Sequence, residues 1–168
     1  MLGIDPGYAI VGWGVINFNG CAYAPLGFGA ITTDSGLDFS LRLEHIYDKL
    51  EMIINKSNPD AMAIEKLYFQ NNQKTAINVA QARGVILLAA QKNNVPVYEY
   101  TPLQVKMAIT GYGQAKKPQI MEMTRRLLKL KETPKPDDTA DALAMAITHT
   151  HAAGTNLKAM IFRRGQKQ

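Results

Sequence analysis

Cysteine is nearly missing from this chain. Its single example, Cys21, has no partner for an internal disulfide, and with only three histidines there is no Cys or His cluster of the kind that binds zinc. Cys21 is expected to be a small buried or half-buried thiol. Long apolar runs are missing as well. None approaches the ~20 residues that a membrane span requires, and nothing ahead of Asp5 has the make-up of a signal peptide. The expectation is a soluble, cytoplasmic protein with no membrane partner. No internal repeat, low-complexity tract or linker interrupts the sequence. At 168 residues, 46% of them apolar and 20% charged, the chain can fill one core and is short for two. A single domain over residues 1–153 is expected, followed by a basic tail at 154–168.

What the chain does have is an uneven charge. Its net +5 divides into 7 Lys or Arg against 9 Asp or Glu in residues 1–100, and 12 against 5 in residues 101–168. A basic C-terminal part suits an anionic partner such as nucleic acid, although Lys-rich helices are often only solvated faces.

Strands are predicted for "LGI" and "AIVGWGVINF", rich in Val, Ile and aromatics, and the Asn19-Gly20 pair suits a hairpin turn into "CAYAPLGFGAITT". Apolar residues at 43, 46, 47, 50, 53 and 54 recur with a helix period. "AMAIEKL" is too short for a helix and is predicted to be a buried strand ending near Glu65. "TAINVAQARGVILLAAQ" is a helix containing Gly84, which costs ~1 kcal/mol relative to Ala and so points to close packing there. "VPVYEY" is a strand. "TPLQVKMAI" is a short helix with Thr101 as cap and Pro102 in the first turn. "GYGQAKK" is a loop, "PQIMEMTRRLLKL" a helix, and a last helix starts near Asp137. This order suggests an α/β fold: a mixed, five-stranded sheet with helices on both faces.

Acids stand at the ends of these elements. Asp5 closes the first strand, Glu65 a later buried one, and Asp138 and Asp141, three apart, share a face at the start of the last helix. Each alone has a plain explanation. Asp5 could form a turn before Pro6 and Gly7, and the helix acids could be favourable first-turn charges. Glu65 beside "AMAI" is poorly placed for solvent. If the four converge, each pair at ~5 Å repels by about 3 kcal/mol at an effective dielectric of 20. Divalent cations remove the repulsion, because carboxylates are the hard-oxygen ligands that Mg²⁺ and Mn²⁺ select.

"LGIDPG", "AIEKLYF", "AQARGV", "TPLQVKMAITGYGQAKK" and "DDTADALAMAITHTH" together resemble, in order and separation, the successive motifs of the RuvC family of Holliday junction resolvases, over nearly the whole chain to about His151. "IDPG" alone is shared with actin-like ATPases and other nucleases, whereas the set is specific. The resemblance implies an RNase H-like fold, a homodimer, and paired symmetric incision of four-way DNA junctions in recombination and repair. It implies 5′-phosphate and 3′-hydroxyl ends and two Mg²⁺ per subunit, with Mn²⁺ able to substitute. It further implies a bacterial cytoplasmic setting and the RuvAB branch-migration complex as partner.

Residue by residue, the implied acidic tetrad and metal ligands are Asp5, Glu65, Asp138 and Asp141. Spacing permits Asp137 or Asp138 to share a face with Asp141. The family's acid, which is His in some members, lies three before the last and corresponds to Asp138. Lys106 and Lys117 correspond to lysines beside the scissile phosphate, and Lys116 adjoins Lys117 and could share its role. The family's aromatic three residues past the glutamate is Tyr68 here, with Phe69 as rival; such a ring can stack on an unpaired base. Helix "TAINVAQARGVILLAAQ" resembles the family's dimer-forming helix, and its periodicity equally suits a core helix. The alternatives are another RNase H-like nuclease, such as a pre-ribosomal-RNA processing enzyme, which leaves the Lys106 and Lys117 segment unexplained, or a non-catalytic junction-binding module, which would have lost the acids. An actin-like ATPase would need further Gly-rich phosphate loops, and the sequence has none.

Overall fold

A computed structural model describes the backbone over residues 1–66 and 73–165, with side chains over 1–66 and 75–152. Three strands, β1 (Leu2–Asp5), β2 (Ile10–Phe18) and β3 (Tyr23–Thr32), form an antiparallel meander. Its tight turn follows from local chemistry: Gly20 takes φ +93°, and the Asn19 side-chain oxygen accepts from the backbone N–H of Cys21 and Ala22. Helix α1 (Phe39–Ser57) leads to β4 (Met62–Glu65), and helix α2 (Gln73–Lys92) leads to β5 (Val97–Tyr100). Both later strands run parallel to their neighbours, so the sheet order is β3-β2-β1-β4-β5. Helices α3 (Pro102–Thr110), α4 (Lys117–Leu127) and α5 (Asp137–Gly165) complete the chain. The last helix takes in most of the segment set apart as a basic tail.

The predicted mixed sheet with helices on both faces is what the chain forms. Leu2, Ile4, Met62 and Ile64 point to the α1 and α2 side, where they meet Ile46, Leu50, Ile54, Ala82 and Ile86. Ala63 and Ile16 face the other way, toward α3, α4 and the alanine-rich start of α5. These side chains alternate because successive residues of a strand face opposite sides.

Two glycines decide how close α5 comes. A Cβ at Gly3 would lie 2.0 Å from the Ala142 carbonyl oxygen, and one at Gly12 would lie 2.0 Å from that of Asp138. Only glycine lets the helix backbone rest directly on β1 and β2. The turn after Asp5 is tied from the opposite side: the Arg42 guanidinium, buried on α1, donates to the Tyr8 carbonyl and to Thr33 Oγ1, which itself donates to that carbonyl.

Two expectations are not met within the chain. Cys21 is exposed rather than buried, because the hairpin tip carries it beyond the sheet. Gly84 has no close-packed neighbour within the chain: a Cβ there would meet no described atom within 4 Å, since the residue faces outward from α2.

Candidate active site

The alternation that buries Ile4 and Ile64 on one face turns the next residue of each strand, Asp5 and Glu65, toward α5. The two strands are parallel neighbours, with Ile4 opposite Ile64, so the carboxylates emerge side by side at the same edge of the sheet. Asp5 is also paired with Gly12, on which the Asp138 backbone rests. The first turn of α5 is thereby set above Asp5. Asp137, Asp138 and Asp141 arrive with it.

These carboxylates act on one another. Burial first, then the charges of Asp141, Glu65 and Asp138, push the Asp5 carboxyl up to about 7 against the opposing pull of Lys117. Burial and then Asp141 raise Glu65. Burial also raises Asp141, outweighing the lowering effect of its hydrogen bond and ion pair with Lys117, while Asp137 and Asp138 add to the rise. Such mutual elevation is the signature of like charges held together in partial isolation from water.

Lys117 answers part of this negative charge. Its Nζ lies 3.0 Å from Asp141 Oδ2 and 3.4 Å from Asp137 Oδ2. Burial works to lower the ammonium's pKa, but the contacts with Asp141 and Asp137 prevail and raise it.

Asp5, Glu65, Asp141, Lys106, Lys116 and Lys117 all line one cleft of about 480 Å³, whose remaining walls include Gln114, Val105, Ile120 and Met145. The starts of α3 and α4 open onto it. Thr101 and Gln104 cap α3 reciprocally, Thr101 Oγ1 accepting from the Gln104 N–H and Gln104 Oε1 from the Thr101 N–H. Gln119 Oε1 likewise accepts from the Lys116 N–H at the start of α4. Helix N-termini carry partial positive charge, which favours an anion in the space between them.

Six of the residues singled out in sequence therefore meet in one cleft. Asp138 does not line it but lies close enough to act electrostatically on Asp5 and Asp141. Tyr68 and Phe69 lie outside the described residues, just past the strand that delivers Glu65. Asp137's pairing with Lys117 was not legible in sequence. Its only signal is the four-residue spacing from Asp141, which any helix offers. Gln114 likewise stands in the quoted loop without a pattern to mark it.

Among the described residues no group of three or more His, Cys, Asp or Glu is gathered into a ready-made ion cage. The donor chemistry nevertheless fits a hard divalent cation. Asp5, Glu65 and Asp141 are oxygen ligands in one cleft, their raised pKa values register unmet negative charge, and an ammonium is the cation that now partly offsets it.

Comparison with known proteins gives a consistent result. The family model for "Crossover junction endodeoxyribonuclease RuvC" matches residues 1–149. A RuvC of Brevibacillus brevis is 56% identical over 149 residues, covering 89% of this chain and 90% of its own. That of Fusobacterium nucleatum is 51% identical over 157 residues, 94% of this chain and 83% of its own. Among solved structures, T. thermophilus RuvC in complex with Holliday junction substrate superposes with a TM-score of 0.89 at 36% identity, covering 92% and 94% of the two chains. The yeast mitochondrial resolvase Ydc2, at 14% identity and a TM-score of 0.62, shares the fold.

Proposed function

This chain belongs to the RuvC family of crossover junction endodeoxyribonucleases, and from that membership we propose that its acidic cleft cuts four-way DNA junctions by phosphodiester hydrolysis. The observation that carries the reading is the meeting of Asp5, Glu65 and Asp141 with three lysines in one cleft on an RNase H-like sheet.

Asp5, Glu65, Asp138 and Asp141 would hold the divalent ions, for which Mg²⁺, two per subunit, is the first choice and Mn²⁺ a substitute. Such ions supply Lewis-acid charge at the phosphate and water of lowered pKa. The chain's own groups do the rest. Glu65 and Asp5, on adjacent strand ends, fix the ligand oxygens to the hydrogen-bonded centre of the sheet. Lys106, Lys116 and Lys117 line the same cleft, where their positive charge would meet the scissile phosphate and the oxygens that gain charge as the bond breaks. Water would add to phosphorus as the bond from phosphorus to the sugar 3′ oxygen breaks, the water giving up a proton and the 3′ oxygen taking one up, which leaves 5′-phosphate and 3′-hydroxyl ends.

Paired incision needs two copies. On α2, Ile77 and Leu88 are 59% and 53% exposed and stand on one stripe with the bare Gly84 between them, a surface suited to a second α2 across a two-fold axis. The two cuts then match the two-fold symmetry of a junction. Tyr68, three residues past Glu65 in the sequence, is the ring that family membership assigns to stacking on an unpaired base, with Phe69 as the rival. RuvAB, the branch-migration complex, is the cellular partner that family membership points to, in the bacterial cytoplasm.

Incubation with a synthetic four-way junction, a linear duplex and an RNA hairpin, each with Mg²⁺ or with EDTA, tests the reading. Paired nicks in the junction alone, and only with Mg²⁺, are expected. Cleavage of the hairpin in preference, or undiminished cleavage in EDTA, would overturn it.

A further inference from the structure

Asp137 falls outside the acidic tetrad, yet it is one prong of a fork. Its Oδ2 lies 3.4 Å from Lys117 Nζ, while Asp141 Oδ2 holds the same ammonium at 3.0 Å from the next turn of α5. The two acids differ in setting. Asp141 lines the cleft with 31% of its side chain exposed, and Asp137 stands at the rim with 58% exposed. Lys117 at the start of α4 is thus shared between an inner carboxylate and an outer one.

An ammonium and a divalent cation cannot both occupy the same Asp141 oxygens without strong repulsion. Lys117 engages Oδ2 of Asp141, so a cation that takes that oxygen must displace the ammonium. The displaced ammonium needs an anionic partner close by, and the carboxylate already within contact range is Asp137.

We infer that Asp137 is a positioning residue that receives the Lys117 ammonium when a divalent cation takes Asp141, so that the lysine clears the metal site yet stays at the rim of the cleft. The inference rests on the metal-binding reading of Asp141 given above. It assigns Lys117 two stations: on Asp141 it covers a carboxylate oxygen that the metal would need, and on Asp137 it leaves that oxygen open. Losing the outer station should confine the ammonium to Asp141 and set it in competition with the incoming ion.

Mn²⁺ binding to the full chain, followed without DNA by electron paramagnetic resonance at ~0.3 M salt to screen long-range charge, provides the test. Asp137→Asn should weaken binding roughly three- to tenfold, a loss of about 0.7 to 1.4 kcal/mol. Lys117→Ala should tighten it. In the Lys117→Ala background the Asp137→Asn loss should shrink to about twofold or less, the non-additivity expected of residues that act through one another. Asp137→Glu should restore binding, and melting temperatures should confirm that every variant is folded. An equal Asp137→Asn loss with and without Lys117 would reduce Asp137 to one more background charge and overturn the inference, as would no loss at all. If wild-type protein binds no Mn²⁺, the metal site itself falls, and the inference with it.

Discussion

Asp5→Asn should make the metal-free protein more stable while abolishing cleavage. The Asp5 carboxyl, held among other acids, has its pKa pushed up to about 7 from an ordinary value of 3.8. Three pKa units correspond to about 4 kcal/mol as an upper bound on the penalty for keeping the group ionised in the folded state at pH 8. The carboxyl is half-buried in the wall of an open cleft, and solvent screening there reduces the measurable gain to roughly 2 kcal/mol. For a domain of this size that corresponds to a rise in melting temperature of about 4 to 8 °C. The sign of the pH dependence is fixed. Because the folded pKa is raised, the folded state holds the proton more tightly than the unfolded chain does. The wild-type penalty is therefore absent below about pH 4, grows as the pH rises, and is complete above about pH 7. The advantage of Asp5→Asn should shrink in step as pH is lowered. Calorimetric melting in EDTA from pH 5 to 8 measures it. Mg²⁺ should raise the melting temperature of the wild type and do little for the variant, while junction binding, which rests mainly on Lys and Arg contacts to phosphates, should persist. A lower melting temperature for Asp5→Asn in EDTA at pH 8, or an advantage that does not change with pH, would refute the account of Asp5 as a carboxylate under electrostatic pressure.

Three further outcomes are expected. Asp138→Asn should abolish junction cleavage, whereas Asp137→Asn should retain it once metal is raised to saturation; the reverse ranking in a gel assay would exchange their roles. Gly12→Ala, whose Cβ would lie 2.0 Å from the Asp138 carbonyl oxygen, should destabilise by roughly 3 kcal/mol and impair cleavage together, because the start of α5 must shift; unchanged chemical denaturation would contradict the close packing. Tyr68→Ala should slow cleavage by about 5- to 150-fold, equivalent to a lost stack of ~1 to 3 kcal/mol, and Tyr68→Phe should be tolerated; a large fall in melting temperature for Tyr68→Ala would mark a packed ring instead and pass the stacking role to Phe69.

Features that depend only on neighbours along the chain are written in its local chemistry. Thr101 and Pro102 mark a helix start from local chemistry alone, because a capping hydroxyl satisfies an N–H within one turn. The Asn19-Gly20 turn and the apolar periods of α1 and α2 are local in the same sense. The acids were legible too, as carboxylates placed where stability alone would not place them. Relations between distant residues depend instead on how the elements pack. The parallel docking of β4 on β1 sets Glu65 beside Asp5, and no local signal selects that neighbour. Glycine at positions 3 and 12 reads as a weak point in a strand until α5 is seen resting on the bare backbone. Gly84 is the reverse case, a bare position on α2 with no neighbour inside the described chain. Asp137 changed from a first-turn charge to a partner of Lys117, 20 residues earlier, because the packing of α4 against α5 brings the two together. Caps, turns and periodicity act within a few residues, whereas contacts between elements are settled by the shape and charge of surfaces that meet only when the chain has folded.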